Sequence, residues 1–118
     1  MSEKRVIADR KGREAEAQAA QWLMQRGLEV VAERVKTKLG EIDLIARRPG
    51  LVVFAEVKWR KTSRDLDLAI DERRLARVAA AVEAVAHEYA GPADDIRIDV
   101  ILLAPGSRPR HIENAWMP

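Results

Sequence analysis

Residues Gly40–Arg60 read GEIDLIARRPGLVVFAEVKWR. Two runs of strand-forming residues flank RRPG, where Pro49 and Gly50 mark a turn. In the first run, about Glu41–Ala46, a period of two puts Ile42, Leu44 and Ala46 on one face, with Glu41, Asp43 and Ile45 on the other. The second, about Leu51–Lys58, is apolar almost to its end, as a strand covered on both faces should be, and it places Val52, Phe54, Glu56 and Lys58 together. Charges in the most hydrophobic part of a chain are costly unless they are paired or bind something. The turn makes the two strands neighbours, but whether Asp43 meets Glu56 depends on a register that the sequence leaves open.

Upstream, about Asp9–Arg26 is rich in Ala, Gln and Glu and is predicted helical, with Asp9 to cap its start and Gly27 to close its end. At about 100° per residue Glu14 joins Gln18, Gln21 and Gln25 on the wet stripe, whereas Glu16 joins Gly12, Ala20 and Leu23 on the packed face or its border. A carboxylate there must be paired or must ligate something. Leu28–Val35 is predicted as a strand and Trp59–Asp71 as a polar loop. A second helix runs from about Asp71 to Tyr89, with Leu75, Val78, Val82, Val85 and Tyr89 at core spacing, and a last strand runs over Ile96–Leu103. The order αβββαβ predicts an α/β fold with one central mixed sheet flanked by helices. One domain over 1–118 is expected, with a loosely ordered tail from about residue 105.

The 118 residues are 47% hydrophobic and 34% charged, a composition that excludes a disordered chain. No apolar run approaches the length of a membrane span, Met1–Gly12 is too charged for a signal peptide, and a cytoplasmic location without membrane contact is expected. With no cysteine there is no thiolate nucleophile and no Cys-held metal. The net charge is only +2, but basic residues crowd the middle of the chain. Arg47, Arg48, Arg60, Lys61, Arg64, Arg73 and Arg77 are the candidates for a phosphate-binding surface.

Asp43, Glu56 and Glu16 would form an all-oxygen site, the kind Mg²⁺ or Mn²⁺ prefers, with the carbonyl of Val57 as a further ligand. Lys58, two residues from Glu56 on the same face, would orient or activate a water or stabilise developing charge. The competing reading of Glu56 and Lys58 is a plain ion pair. Asp99, embedded among aliphatic residues, is read as a buried, hydrogen-bonded strand residue, with a catalytic role as the alternative. Glu41 faces water, pairs with a basic neighbour or stands at the rim of the site. His87 suits a surface or C-terminal capping place, and His111 a structural one ahead of contact with phosphate. Trp22 is assigned to the core, Trp116 to packing the tail, and Trp59 to packing at the sheet edge or stacking on a base. The stripe from Leu75 to Tyr89 is helix core or a dimer surface.

GEIDLIA followed by VFAEVKWR, with GREAE at Gly12–Glu16, RIDVI at Arg97–Ile101 and HIENAW at His111–Trp116, resembles the YraN-like bacterial proteins. That uncharacterised family is assigned to the PD-(D/E)XK nuclease-like fold, and archaeal Holliday junction resolvases are similar in architecture. The pattern D-x12-E-V-K from Asp43 to Lys58 is specific when it lies on two strands after a Glu-bearing helix. The resemblance implies a restriction-endonuclease-like core, Asp43 and Glu56 as metal ligands, Lys58 as the catalytic lysine and Glu16 as the helical acid. Where relatives often carry Lys at the opening of the second helix, this chain has Arg73, and Ile98 stands for the family's Phe. The function expected is Mg²⁺- or Mn²⁺-dependent endonuclease action on DNA, ahead of RNA, with branched or other structured DNA among the candidate substrates and a homodimer as the candidate assembly. The alternative is a nucleic-acid-binding protein that keeps the fold and cuts nothing.

Overall fold

The computed structural model describes residues 2–66 and 71–116, with the side chains of residues 8 and 9 left aside. Helix α1 covers Glu3–Gln25 and begins well before the predicted start. Its cap is Ser2, whose hydroxyl accepts the Arg5 N–H at 3.3 Å, and Asp9 lies inside the helix. A Ser followed by helix formers satisfies the first orphan N–H groups as well as an Asp would. Gly27, at φ +83, closes the far end in the left-handed conformation that glycine adopts without strain.

Strands β1 (Glu29–Lys36), β2 (Glu41–Arg48) and β3 (Leu51–Trp59) follow, then α2 (Ser63–Leu66), α3 (Glu72–Tyr89), β4 (Asp95–Leu103) and β5 (Arg110–Ile112). The five strands form one mixed sheet in the order β1-β2-β3-β4-β5, with β3 and β4 parallel and the other neighbours antiparallel. This is the predicted α/β architecture, compatible with a restriction-endonuclease-like core. Helix α2 is one turn set into the expected loop: the Thr62 hydroxyl accepts the Asp65 N–H at 3.3 Å and Leu66 is fully buried. Residues 67–70 of that stretch lie outside the described ones. The tail expected to be loose returns as β5 beside β4, and Trp116 packs on the core. Among the described residues no helix is long and apolar enough to cross a membrane.

Each face of the sheet carries a helix. Ala15, Ala19 and Leu23 of α1 pack on Leu44, Val53 and Ile101, the alanines allowing close approach. Leu75, Val78 and Val82 of α3 cover Ile45, Val52, Phe54 and Val100, so the α3 stripe is core. Ile42 departs from strict alternation and packs with the α3 group, not with Leu44 and Ala46. Two residues earlier, the chain passes close to α3. A Cβ on Gly40 would stand 2.9 Å from the Arg77 carbonyl oxygen, so the backbone entering β2 is pressed against α3. Gly40→Ala is expected to cost about 1–3 kcal/mol through overpacking. Urea unfolding should show a lower midpoint at unchanged m.

Candidate active site

The hairpin closes at Arg48↔Leu51 around a two-residue turn and runs in regular register to Leu44↔Ala55. There β2 and β3 part. The next residue of β2 is Asp43, and its Oδ2 accepts the Val57 N–H at 2.8 Å, bridging the fork. The next residue of β3 is Glu56, so the register left open by the sequence sets the two carboxylates side by side. From Glu56 to Trp59, β3 continues against β4 through Glu56↔Val100 and Trp59↔Leu103. Val57, the expected carbonyl ligand, touches Asp43 through its N–H.

Glu56 is 2% exposed. Its Oε1 accepts Arg74 Nε at 2.6 Å and lies 3.2 Å from Lys58 Nζ, while Oε2 is buried with no hydrogen-bond partner among the described residues. A buried oxygen left bare is expensive and calls for a ligand. Burial, reinforced by the negative charge of Glu56, pushes the Asp43 carboxyl up to about 7, although the Val57 N–H pulls the other way. The negative charge of Glu16 raises it further and Arg74 lowers it. Glu41 is half-buried and near enough to favour the charged form of Arg74, which places it at the rim.

Glu16 is on the border of the packed face, as its stripe predicts, but its carboxylate is engaged: Oε2 accepts Arg34 Nε at 2.7 Å. Arg34 has φ +50, an uncommon conformation for a residue with a side chain, and sits just past a bulge between Val30 and Ala32. Among the described residues, no group of three or more acidic or His side chains forms a ready-made metal cage. The donor set is Asp43 and Glu56, with Glu16 to one side. The hard oxygens and the bare Oε2 of Glu56 fit a small divalent cation.

Lys58 also lines an open cleft of about 490 Å³ between the first half of α1 and the end of β3. Arg60 and Lys61 line it too, joined by Lys4 and Lys11, which the sequence reading did not select. Trp59 packs on the α1-side core and carries Lys11 Nζ 4.7 Å from its ring centroid. The other basic candidates stand elsewhere. Arg47 and Arg48 lie at the turn end of the hairpin, away from the fork, with Arg47 3.7 Å from Asp94. Arg64 is exposed on α2, and Arg73 and Arg77 are exposed on α3. The α3 residue that reaches the carboxylates is Arg74, not Arg73, whose N–H bonds the capping Asp71. Arg74 precedes Val78 by four residues and Val82 by eight, so it falls on the apolar stripe. The argument that singled out Glu16 would have found it.

Asp99 is structural. It is fully buried and accepts Arg97 through both oxygens at 2.9 Å, His111 Nε2 at 2.7 Å and the Asn114 N–H at 3.0 Å. His111 Nδ1 in turn accepts the Trp22 indole N–H at 3.2 Å, which fixes the imidazole proton on Nε2. Trp22 is thus half-buried and tied to the tail, and His111 serves the fold. His87 is exposed in the last turn of α3, where a cation suits the helix end.

Comparison with known proteins adds the family. The profile described as "Uncharacterised protein family UPF0102" matches residues 15–103. A UPF0102 protein of Erythrobacter litoralis is 64% identical over 115 residues, covering 98% of this chain and 99% of the relative. One from Sphingopyxis alaskensis is 54% identical, covering 97% and 98%. One from Rhizorhabdus wittichii is 49% identical, covering 96% of each.

Proposed function

The chain belongs to the UPF0102 family, and from that premise and the geometry of the fork we propose that it is a metal-dependent endonuclease acting on DNA in the cytoplasm. The observation that carries the reading is the bare, buried Oε2 of Glu56 next to Asp43, on the strand whose following residues, Val57 and Lys58, line a cleft rich in cations. Mg²⁺ or Mn²⁺ would be held by Asp43 and Glu56, with Glu16 nearby and the Val57 carbonyl as a candidate ligand. When bound it supplies positive charge that polarises the phosphodiester and acidifies water. In the hydrolysis water adds in line to phosphorus, the bond to the leaving oxygen breaks, and the proton passes through solvent to that oxygen.

The chain's own residues do the rest. Lys58, held 3.2 Å from Glu56, presents an ammonium to the phosphate at the cleft wall and orients the water or stabilises charge on the phosphoryl oxygens. Arg74 uses Nε to fix Glu56, and its guanidinium keeps further donors for phosphate. Asp43 sets the end of β3 through the Val57 N–H. Cutting both strands of a duplex or junction needs two such sites, which a homodimer would supply.

A second reading has its own support: Arg74 and Lys58 already neutralise Glu56, as in a structural ion-pair group in a binding protein. Cleavage decides between them. Labelled linear duplex, flap, four-way junction and single strand are incubated with Mg²⁺ and with Mn²⁺. Cuts are expected only with metal, and Lys58→Ala and Glu56→Ala should each slow them at least about a hundredfold. Tight binding with no cutting under either metal would select the binding protein.

A further inference from the structure

We propose that the cleft between α1 and the end of β3 is a subsite for an unpaired nucleotide segment, so that the substrate class is DNA with a single-stranded portion next to the scissile phosphate. The inference rests on the reading of the fork as a nuclease site for what lies beside it, but the cleft argument uses different residues.

The cleft has two kinds of lining. Lys4, Lys11, Arg60 and Lys61 supply cations, and among its described lining residues none is acidic. Ile7, Val57 and Trp59 supply apolar surface. A duplex presents phosphates outward and keeps its bases stacked inside, so a groove built for duplex alone has no use for an apolar wall. An unpaired strand presents both phosphates and bare base faces, and sites for it pair basic side chains with aromatic platforms. The volume agrees. About 490 Å³ of open cleft is room enough for an unpaired base.

Lys11 shows how such a segment would enter. Its ammonium stands 4.7 Å from the Trp59 ring centroid, a cation–π contact at a half-open site. A base stacking on the ring replaces that contact with a stronger one and brings a phosphate to which Lys11 can turn. Trp59 projects to the α1 face of β3 and Glu56 to the face that meets Arg74 of α3, so a strand seated on Trp59 would reach the carboxylates at the fork, where β2 and β3 part.

The test is binding without chemistry. Fluorescence anisotropy in EDTA compares a labelled oligothymidylate with a blunt duplex of equal length, using wild type, Trp59→Leu and the double variant Lys4→Glu/Lys11→Glu. The single strand is expected to bind at least about tenfold more tightly than the duplex. The double variant should lose at least about tenfold and show a shallower salt dependence. Trp59→Leu should weaken single-strand binding more than duplex binding. Because Trp59 also packs on the core, the double variant, with both changes on the surface of α1, serves if Trp59→Leu does not fold. Equal affinity for strand and duplex, competition by polyglutamate as effective as by oligothymidylate, or wild-type binding by the double variant would each overturn the proposal. Strand-selective binding with no cleavage of any substrate would instead remove the nuclease reading and leave the cleft in place. Efficient cutting of blunt duplex, unaffected by the Lys4 and Lys11 changes, would do the reverse.

Discussion

Asp99→Ala is expected to cost about 3–5 kcal/mol in unfolding free energy, the range for breaking a buried, hydrogen-bonded charge group by removing one member. The carboxylate is fully buried and accepts from Arg97, His111 and the Asn114 backbone, drawn from β4, β5 and the turn beyond. Its removal strands a guanidinium that is only 19% exposed, with Glu113 left at 3.5 Å as a more exposed partner. It also leaves the His111 Nε2–H without its acceptor, and the link from Trp22 on α1 to the tail goes slack. Asp99→Asn keeps an acceptor and should lose less. Urea titration followed by circular dichroism gives both numbers, and a loss below about 1 kcal/mol for the alanine variant would show that the network does not anchor the tail. The acid limb has a definite sign. Burial alone would raise the Asp99 pKa, but the hydrogen bonds from His111, Arg97 and Asn114 outweigh it and hold it below 3.8. A depressed pKa contributes stability above the unfolded value that is lost as pH falls through the folded one. Wild type should therefore carry an acid-destabilised component below about pH 3.8 that Asp99→Ala lacks.

How much of this the sequence already held can be judged residue by residue. Hydrophobic alternation and the RRPG turn identified β2 and β3, and core spacing identified α3, because long periodic segments override local detail. The pairing of Asp43 with Glu56 was not legible, because it follows only once the length of the turn is known. A two-residue turn fixes Arg48 opposite Leu51, and counting outward from that pair reaches Asp43 opposite Glu56. Arg74 was legible by the same stripe argument that found Glu16. The Arg34–Glu16 contact was not, because it needs a bulge and a positive φ that leave no periodic trace. Lys4 and Lys11 were equally hidden, since their nearness to Lys58 depends on how α1 crosses the sheet. The start of α1 was misplaced because Ser2 and Asp9 are both good caps, and only the structure shows which one the chain uses.

In metal-free buffer Asp43→Asn is expected to stabilise the protein at pH 8 by about 2–4 kcal/mol, from about 1.4 kcal/mol per pKa unit. The folded carboxyl has its pKa pushed from 3.8 to about 7, first by burial and then by the charge of Glu56. Here the sign is opposite to that of Asp99. The folded state holds a proton that the unfolded chain releases, so the contribution is full below about 3.8, declines as pH rises, and is gone above about 7. Asparagine remains neutral throughout and can still accept the Val57 N–H, so the two proteins should converge in acid and separate most above pH 7. Unfolding midpoints in EDTA from pH 5 to pH 8 measure the gap, and parallel curves for the two proteins would contradict the assignment. Adding Mn²⁺ separates a costly structural pair from a site. A cation that binds only the native state stabilises it by about 4 kcal/mol at a thousand times its Kd. Wild type should gain more at pH 8 than at pH 6, where metal must displace a proton, and Asp43→Asn should gain little at either. If Mn²⁺ leaves wild type unmoved at pH 8, the carboxylate pair is an ion-pair device of the fold and the nuclease reading falls with it. If it responds, the instability stored at the fork is the condition for binding: two acidic side chains held too close and too dry to be content without a cation between them.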